Sequence, residues 1–402
     1  MGKFINTTHT DTINAIVEGG KERLKNPYYL FTDKKATIVT YYNANVDKTT
    51  VDEGTGNMYS FTDGDAPLRF NKIENAYLFG MTRIETDLQM GDWGLESESI
   101  ESTAYVAPNT FVPYPQDYFF INHVDDSHMI FKVTSVTMDT FEDGANFWRI
   151  DYKLSLADAD HDRLESQVVD TYVMNTPSFG TNLKSVVRKA EYEFLELIEN
   201  TTTMLKGYFQ DLFFKNRLQT FIYEHNLEYF YDPFMIEFLK RNNILSGAKE
   251  FIYVDHQTFV PRTFGIDYDQ TFFRSLEVHD KNKHLRLPSA YGTAIYDRAT
   301  LFYHRPDTYF EVSYKPFDTT NYPIPYTEEE MLDMIKDGKE YAKDSPLAYN
   351  NIIIRYFNNI EFKEDIFDII GNMSFEPNVK MFYAIPMIIY VLEYYARQIL
   401  KK

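Results

Sequence analysis

The residues that could do chemistry are few and scattered. His123-Val-Asp-Asp-Ser-His128 puts two imidazoles and two carboxylates together, donor types that ligate zinc or iron. Asp158-Ala-Asp160-His161-Asp162 has a similar make-up. The first falls at an expected hairpin turn, where Asp-Asp-Ser is ordinary turn chemistry. The second follows a strand and reads as a solvated loop or a helix start. Neither is assigned to a metal. Between His279 and His284, Lys281 and Lys283 put positive charge where a cation would sit. Asp63-Gly-Asp65 lacks the rest of an EF-hand loop, and Gly54-Thr-Gly56 lacks the lysine and following helix of a phosphate loop. No Gly-x-Ser-x-Gly, His-Glu-x-x-His or Walker pattern occurs. Carboxylates are too plentiful for one pair to stand out as a glycosidase couple. Tyr41-Tyr42, Tyr229-Phe-Tyr231 and Tyr394-Tyr395 could line a sugar-binding face, but aromatics on strands and helices are more often core or protein interface. Phe147, Trp148, Tyr229, Tyr231, Tyr394 and Tyr395 are therefore interface or core candidates. No catalytic residue, cofactor or metal site is assigned.

The elements that must position these residues change character near residue 180. Residues 1–26 read as an arm or short helix, and 27–180 as a β domain. Within it, Ala36–Tyr42 and Tyr77–Gly80 are rich in β-branched and aromatic residues. Strands are expected at 117–121, 129–138 and 147–154. The last alternates Phe147, Arg149, Asp151 and Lys153 against Trp148, Ile150, Tyr152 and Leu154, the pattern of a half-buried antiparallel strand. Trp148 is expected in the core with its face-mates, and Phe147 against a loop or a partner.

Residues 181–247 form a helical segment, in which Val186, Val187, Ala190, Phe194, Leu197 and Ile198, then Leu205 to Ile222, recur at helical spacing. Burial on two sides, by the β domain and by a partner, is expected there. Asp232-Pro233 predicts an N-cap followed by proline at the first helical position. Residues 248–325 return to mixed strands and loops, and 326–402 to helices opened by the capping box Thr327-x-x-Glu330. The apolar run Met381–Leu392 is too short for a membrane span of about 20 residues and reads as a buried helix. The fold class is α+β: an N-terminal antiparallel barrel or sandwich, a helical region with a mixed insertion, and C-terminal helices.

Composition narrows the function. The chain has 402 residues, 40 bases against 60 acids, a net charge of −20 and no cysteine. Such an acidic chain has no cationic excess for general phosphate binding, and without cysteine it has neither disulfides nor thiol chemistry. The first ten residues, MGKFINTTHT, carry no apolar core of a signal peptide. Aromatics reach 17%, which fits both an AT-rich coding bias and a demand for rigid contact residues at interfaces.

Three segments together resemble structural proteins of tailed bacteriophages: the proline-led strand entry Pro113-Tyr-Pro115-Gln-Asp117-Tyr-Phe-Phe-Ile121, Phe131–Val136 with Asp139-Thr140 after it, and Phe147–Leu154. Such a strand set is similar to the small β-barrels of neck, tail and baseplate proteins. The resemblance implies a virion component at the head–tail connector or neck, built in the host cytoplasm by protein–protein contacts, without catalysis or cofactor. Expected partners are other virion proteins and copies of itself, in a ring on the order of six or twelve. Possible DNA passage through an acidic lumen, no specific nucleic-acid binding and no membrane complete that expectation. The alternative is a baseplate or tail component, or a carbohydrate-binding or hydrolytic module using acidic and aromatic residues.

Overall fold

The computed structural model describes residues 36–49, 68–81, 88–91, 94–97, 102–108, 110–122, 128–140, 146–155, 160–175, 183–216, 219–225, 228–230, 232–245, 252–253, 268–282, 295–302, 309–314, 329–375, 377 and 379–401. The chain divides into two compact units, residues 1–193 with 399–402, and residues 194–398. The expected helix or arm at the N-terminus lies outside the described residues.

The first unit is a closed barrel. Its strands are β1 (Ala36–Ala44), β2 (Phe70–Phe79), β5 (Ser102–Val106), β6 (Tyr118–Asn122), β7 (His128–Thr140) and β8 (Asn146–Leu154), with the short pair β3 (Leu88–Gly91) and β4 (Gly94–Ser97) between β2 and β5. Pairing runs β1-β6-β7-β8-β5-β2 and returns to β1, antiparallel throughout. Closure leaves none of the six with an open edge. Alternation along each strand, reset within β2 at Asn75 (φ 55°), sends Val39, Tyr41, Ile73, Leu78, Ala104, Val106, Phe119, Phe131, Val133, Ile150 and Tyr152 into the bore, all buried. Register shifts opposite Val39/Tyr41 and at Val133/Ser135 put an extra residue into β2, around Asn75, and into β7, and let those two strands bend around so small a barrel.

Past α1 (Val46–Thr49), the chain continues as β2, and α2 (Asp160–Ser166) follows β8. Leu164 of α2 is buried with Tyr42, Ala44, Phe70, Phe120 and Ile130 on the outer barrel face. β9 (Val168–Met174) then runs parallel to β2, and β10 (Val186–Arg188) pairs antiparallel with β9. This corrects the helical reading of Val186 and Val187. Both are β-branched, and β9 offers them a free ladder through Met174↔Val186 and Val173↔Val187.

The second unit is mainly helical. Its first helix, α3 (Lys189–Phe213), begins in the first unit and turns Ile198, Thr202, Leu205, Phe209 and Phe213 inward. Short pairs follow, β11 (Phe214–Lys215) with β12 (Thr220–Phe221) and β13 (Tyr223–His225) with β14 (Glu228–Phe230). The helical period read through Ile222 therefore stops at Phe213, where the chain folds back into a hairpin. α4 (Pro233–Arg241) has Asp232 as its N-cap, accepting from Phe234 N and Met235 N at 2.8 and 3.2 Å. β15 (Ile252–Tyr253), β16 (Ile295–Phe302) and β17 (Tyr309–Tyr314) join β13 and β14 in one sheet. The other helices are α5 (Phe272–Val278), α6 (Glu329–Asp337), α7 (Asn351–Phe357), α8 (Asp365–Gly371) and α9 (Val379–Leu400). Met381–Leu392 is the buried centre of α9 and includes the helix-embedded Pro386, whose missing N–H the surrounding core tolerates.

Candidate functional site

The bore of the barrel is solid. Phe119 stacks on Phe131 at 5.1 Å, and Tyr152 meets both edge-on at 5.1 and 5.5 Å. Tyr41 adds contacts to Phe111 at 4.7 Å and Phe119 at 6.1 Å. A barrel of eight strands is only wide enough for side chains to fill, and six strands leave less room. Neither a ligand nor a nucleic-acid strand passes through this bore.

One carboxylate ties the rim together. Asp117 is fully buried. Its Oδ1 accepts from Ala44 N at 2.7 Å. Its Oδ2 accepts from Tyr41 Oη at 2.8 Å, Asn43 Nδ2 at 3.0 Å and Tyr114 N at 2.7 Å. Asn43 also donates to Val112 O at 2.8 Å. The Pro113-Tyr-Pro115 turn is thus latched onto β1, with Gln116 held at φ 78°. Burial pushes the Asp117 carboxyl up to about 7, and the donors pull in the opposite direction. Burial and the neighbouring Asp117 also raise the Tyr41 phenol.

The outer face carries a row of lysine and tyrosine side chains that only the register reveals. Lys72↔Tyr42, Tyr42↔Tyr118, Tyr118↔Lys132 and Lys132↔Lys153 are successive cross-strand partners. Helix α2 covers one end: Glu165 Oε1 lies 2.6 Å from both Lys72 Nζ and Tyr42 Oη. The other end is open. Lys132 sits 5.6 Å above the Tyr118 ring, Lys153 is exposed, and the exposed Arg149 lies 3.4 Å from Asp151.

A second open face lies on α3. Beside its buried stripe, Leu197 (43% exposed), Met204 (40%) and Tyr208 (40%) reach the surface. Exposed Glu193, Glu196 and Asp211 flank them. Tyr208 stacks on Phe375 at 4.3 Å.

The candidates read from the sequence do not gather in one site. Phe147 is 9% exposed and packs with Phe79 and Ala107, its ring 5.7 Å from Tyr105. Trp148 is half-buried against the inner cluster that contains Ile150 and Tyr152. The expectation that Phe147 faces a loop or partner is therefore corrected. The outer face here has its own aromatic cluster, whereas Trp148 lies at the open end of the bore, opposite Met138, which is 54% exposed. Tyr229 pairs through its backbone with Glu224 and Tyr296, and Tyr231 lies outside the described residues. Tyr394 meets Tyr356 edge-on at 5.0 Å. Tyr395 stacks on Phe362 at 3.5 Å and donates to Ile360 O at 3.2 Å.

Residues 123–127 and Asp158 lie outside the described residues, while Asp160, His161 and Asp162 open α2. Among the described residues no three His, Cys, Asp or Glu are grouped to hold a metal ion, and no helix is long and apolar enough to cross a membrane. Sequence reading missed Asp117 as a latch and the lysine row altogether. A carboxylate directly after Pro-Tyr-Pro-Gln was the available signal for the first; the second has none without the register.

Comparison with known proteins bears on the barrel. Residues 21–188 match the family model described as "Putative phage head-tail joining protein". The β domain is similar to the phage head-tail joining family. This agrees with the resemblance to tailed-phage structural proteins carried by residues 113–154, and it supports a phage structural protein of the head–tail connector. No curated protein and no solved structure matches the chain.

Proposed function

We propose that this protein is a non-catalytic virion component that joins head to tail by assembling with copies of itself and with neighbouring virion proteins. The family match over 21–188 carries the reading. Because the bore is filled, any path for DNA in this reading runs between copies, as the lumen of a ring. With a net charge of −20, a lumen lined by this chain would let DNA slide without sticking. Assembly in the host cytoplasm follows from this role.

The test is virion composition with a genetic knock-out. The protein is expected in purified virions at ring stoichiometry, and its loss should leave filled heads and unattached tails. Its absence from virions, or normal joining without it, would overturn the reading.

A further inference from the structure

We propose that the open half of the lysine row on β7 and β8 is the docking surface for the solvent face of α3 on a second copy of this chain. The proposal rests on the assembly reading above. Lys132 and Lys153 are direct cross-strand partners, and like charges so placed repel within the protomer. Lys132 is eased by the Tyr118 ring at 5.6 Å. Lys153 is exposed, with no ion pair among the described residues. Arg149 adds a third cation, shared with Asp151 at 3.4 Å.

Lys132, Lys153 and Arg149 together form a local cationic patch on a chain with 40 bases against 60 acids. Copies that meet acid to acid repel one another. They can pack side by side through a heterologous contact, in which one surface meets a different one, and such a contact repeated by rotation closes a ring. The α3 face is the complement. Glu193, Glu196 and Asp211 bracket the apolar stripe Leu197, Met204 and Tyr208. The carboxylates match the ammonium groups, and the stripe matches the aliphatic stems that lysine lays along a surface. Duplex DNA is the competing anion, but the whole chain's charge of −20 opposes its approach.

The full-length chain is tested by charge exchange at low salt, read by native mass spectrometry. K132E/K153E and E193K/E196K are each expected to associate at least tenfold more weakly than wild type. Mixing the two variants should restore association by pairing each altered face with its complement. Unchanged assembly of K132E/K153E, or no recovery in the mixture, overturns the docking surface while leaving the assembly reading intact. Wild-type binding to a short DNA duplex that K132E/K153E abolishes, with assembly unchanged, also overturns it. If the wild type assembles only on its platform, the absence of native cysteine allows a second measurement. Virions carrying Lys153→Cys with Glu196→Cys should give disulfide-linked dimers on mild oxidation, and monomers alone refute the contact. Absence of the wild-type chain from virions instead sinks the assembly reading.

Discussion

Replacing Asp117 with asparagine separates burial from hydrogen bonding as the dominant influence on the latch. The neutral carboxyl keeps a lone pair on each oxygen, whereas an amide nitrogen has none to offer. With its oxygen at the Oδ2 position, the amide can still accept from Tyr41, Asn43 and Tyr114, but its nitrogen then faces Ala44 N–H. One buried donor is orphaned, at a cost of about 1–3 kcal/mol. The wild-type carboxyl also titrates. Burial lifts it from 3.8 to about 7 in the folded chain. A raised acid contributes stability that is fully present below about pH 4 and is lost as pH rises through 7. At roughly 1.4 kcal/mol per pH unit this is on the order of 4 kcal/mol. D117N lacks that slope. The wild-type advantage should therefore be largest at or below about pH 4 and shrink, or reverse, by pH 8. The assay is urea unfolding followed by Trp148 fluorescence in a Trp93→Phe background, with D117N and wild type compared across pH. An advantage that widens with pH would refute the reasoning, because it would mean that the four donors outweigh burial.

The second unit has a parallel case. Asp232 caps α4 and accepts from Tyr383 Oη at 2.6 Å. Asp232→Ala should cost about 2–4 kcal/mol through the lost cap and the orphaned phenol, with Tyr383→Phe costing less, both read by urea melts of helical circular dichroism. Burial raises this carboxyl to about 6, so its contribution is present below about pH 4 and fades as pH passes 6; D232N should lose that dependence. Gly338 follows α6 at φ +67°, and a Cβ there would lie 3.3 Å from Asn358 Oδ1. Gly338→Ala should therefore destabilise by about 1–2 kcal/mol, with Gly338→Asn milder, and a rise in the thermal midpoint would contradict this.

How much was legible in the sequence depended on how local the signal was. The Asp232-Pro233 helix start was readable because a cap acts on the N–H groups of its own first turn. The β7 and β8 strands were readable because alternation is a property of one strand. Barrel closure was not, since it depends on β1 pairing with both β2 and β6. Val186 and Val187 misled for the same reason: their spacing suits a helix, and only the neighbouring β9 makes them a strand. The Phe147 expectation failed on the assumption that a barrel has one apolar face, whereas Trp148 does pack on the cluster of Ile150 and Tyr152. Here the outer face of β1, β2, β5 and β8 buries a second aromatic cluster, so alternation separated the two rings without deciding which was more buried. Lys132 and Lys153, 21 positions apart (153 − 132), became neighbours only through the β7–β8 register.

That register also separates stability from assembly along the same pair of strands. Phe131 and Tyr152 point into the bore and are fully buried, with ring centroids 5.5 Å apart. The flanking Lys132 and Lys153 point outward. Deleting the Phe131 ring removes contacts to Phe119 and Tyr152 together, so Phe131→Ala should cost about 3–5 kcal/mol. Lys153→Glu replaces an exposed side chain and relieves the repulsion from Lys132, so protomer stability should stay within about 0.5 kcal/mol of wild type or rise slightly. If β7 and β8 serve both purposes, Phe131→Ala should lower the unfolding midpoint, while Lys153→Glu leaves it in place and weakens only association. A Lys153→Glu chain that unfolds as readily as Phe131→Ala would show that the lysine belongs to the protomer's own packing, and the division of labour between the two faces would be wrong.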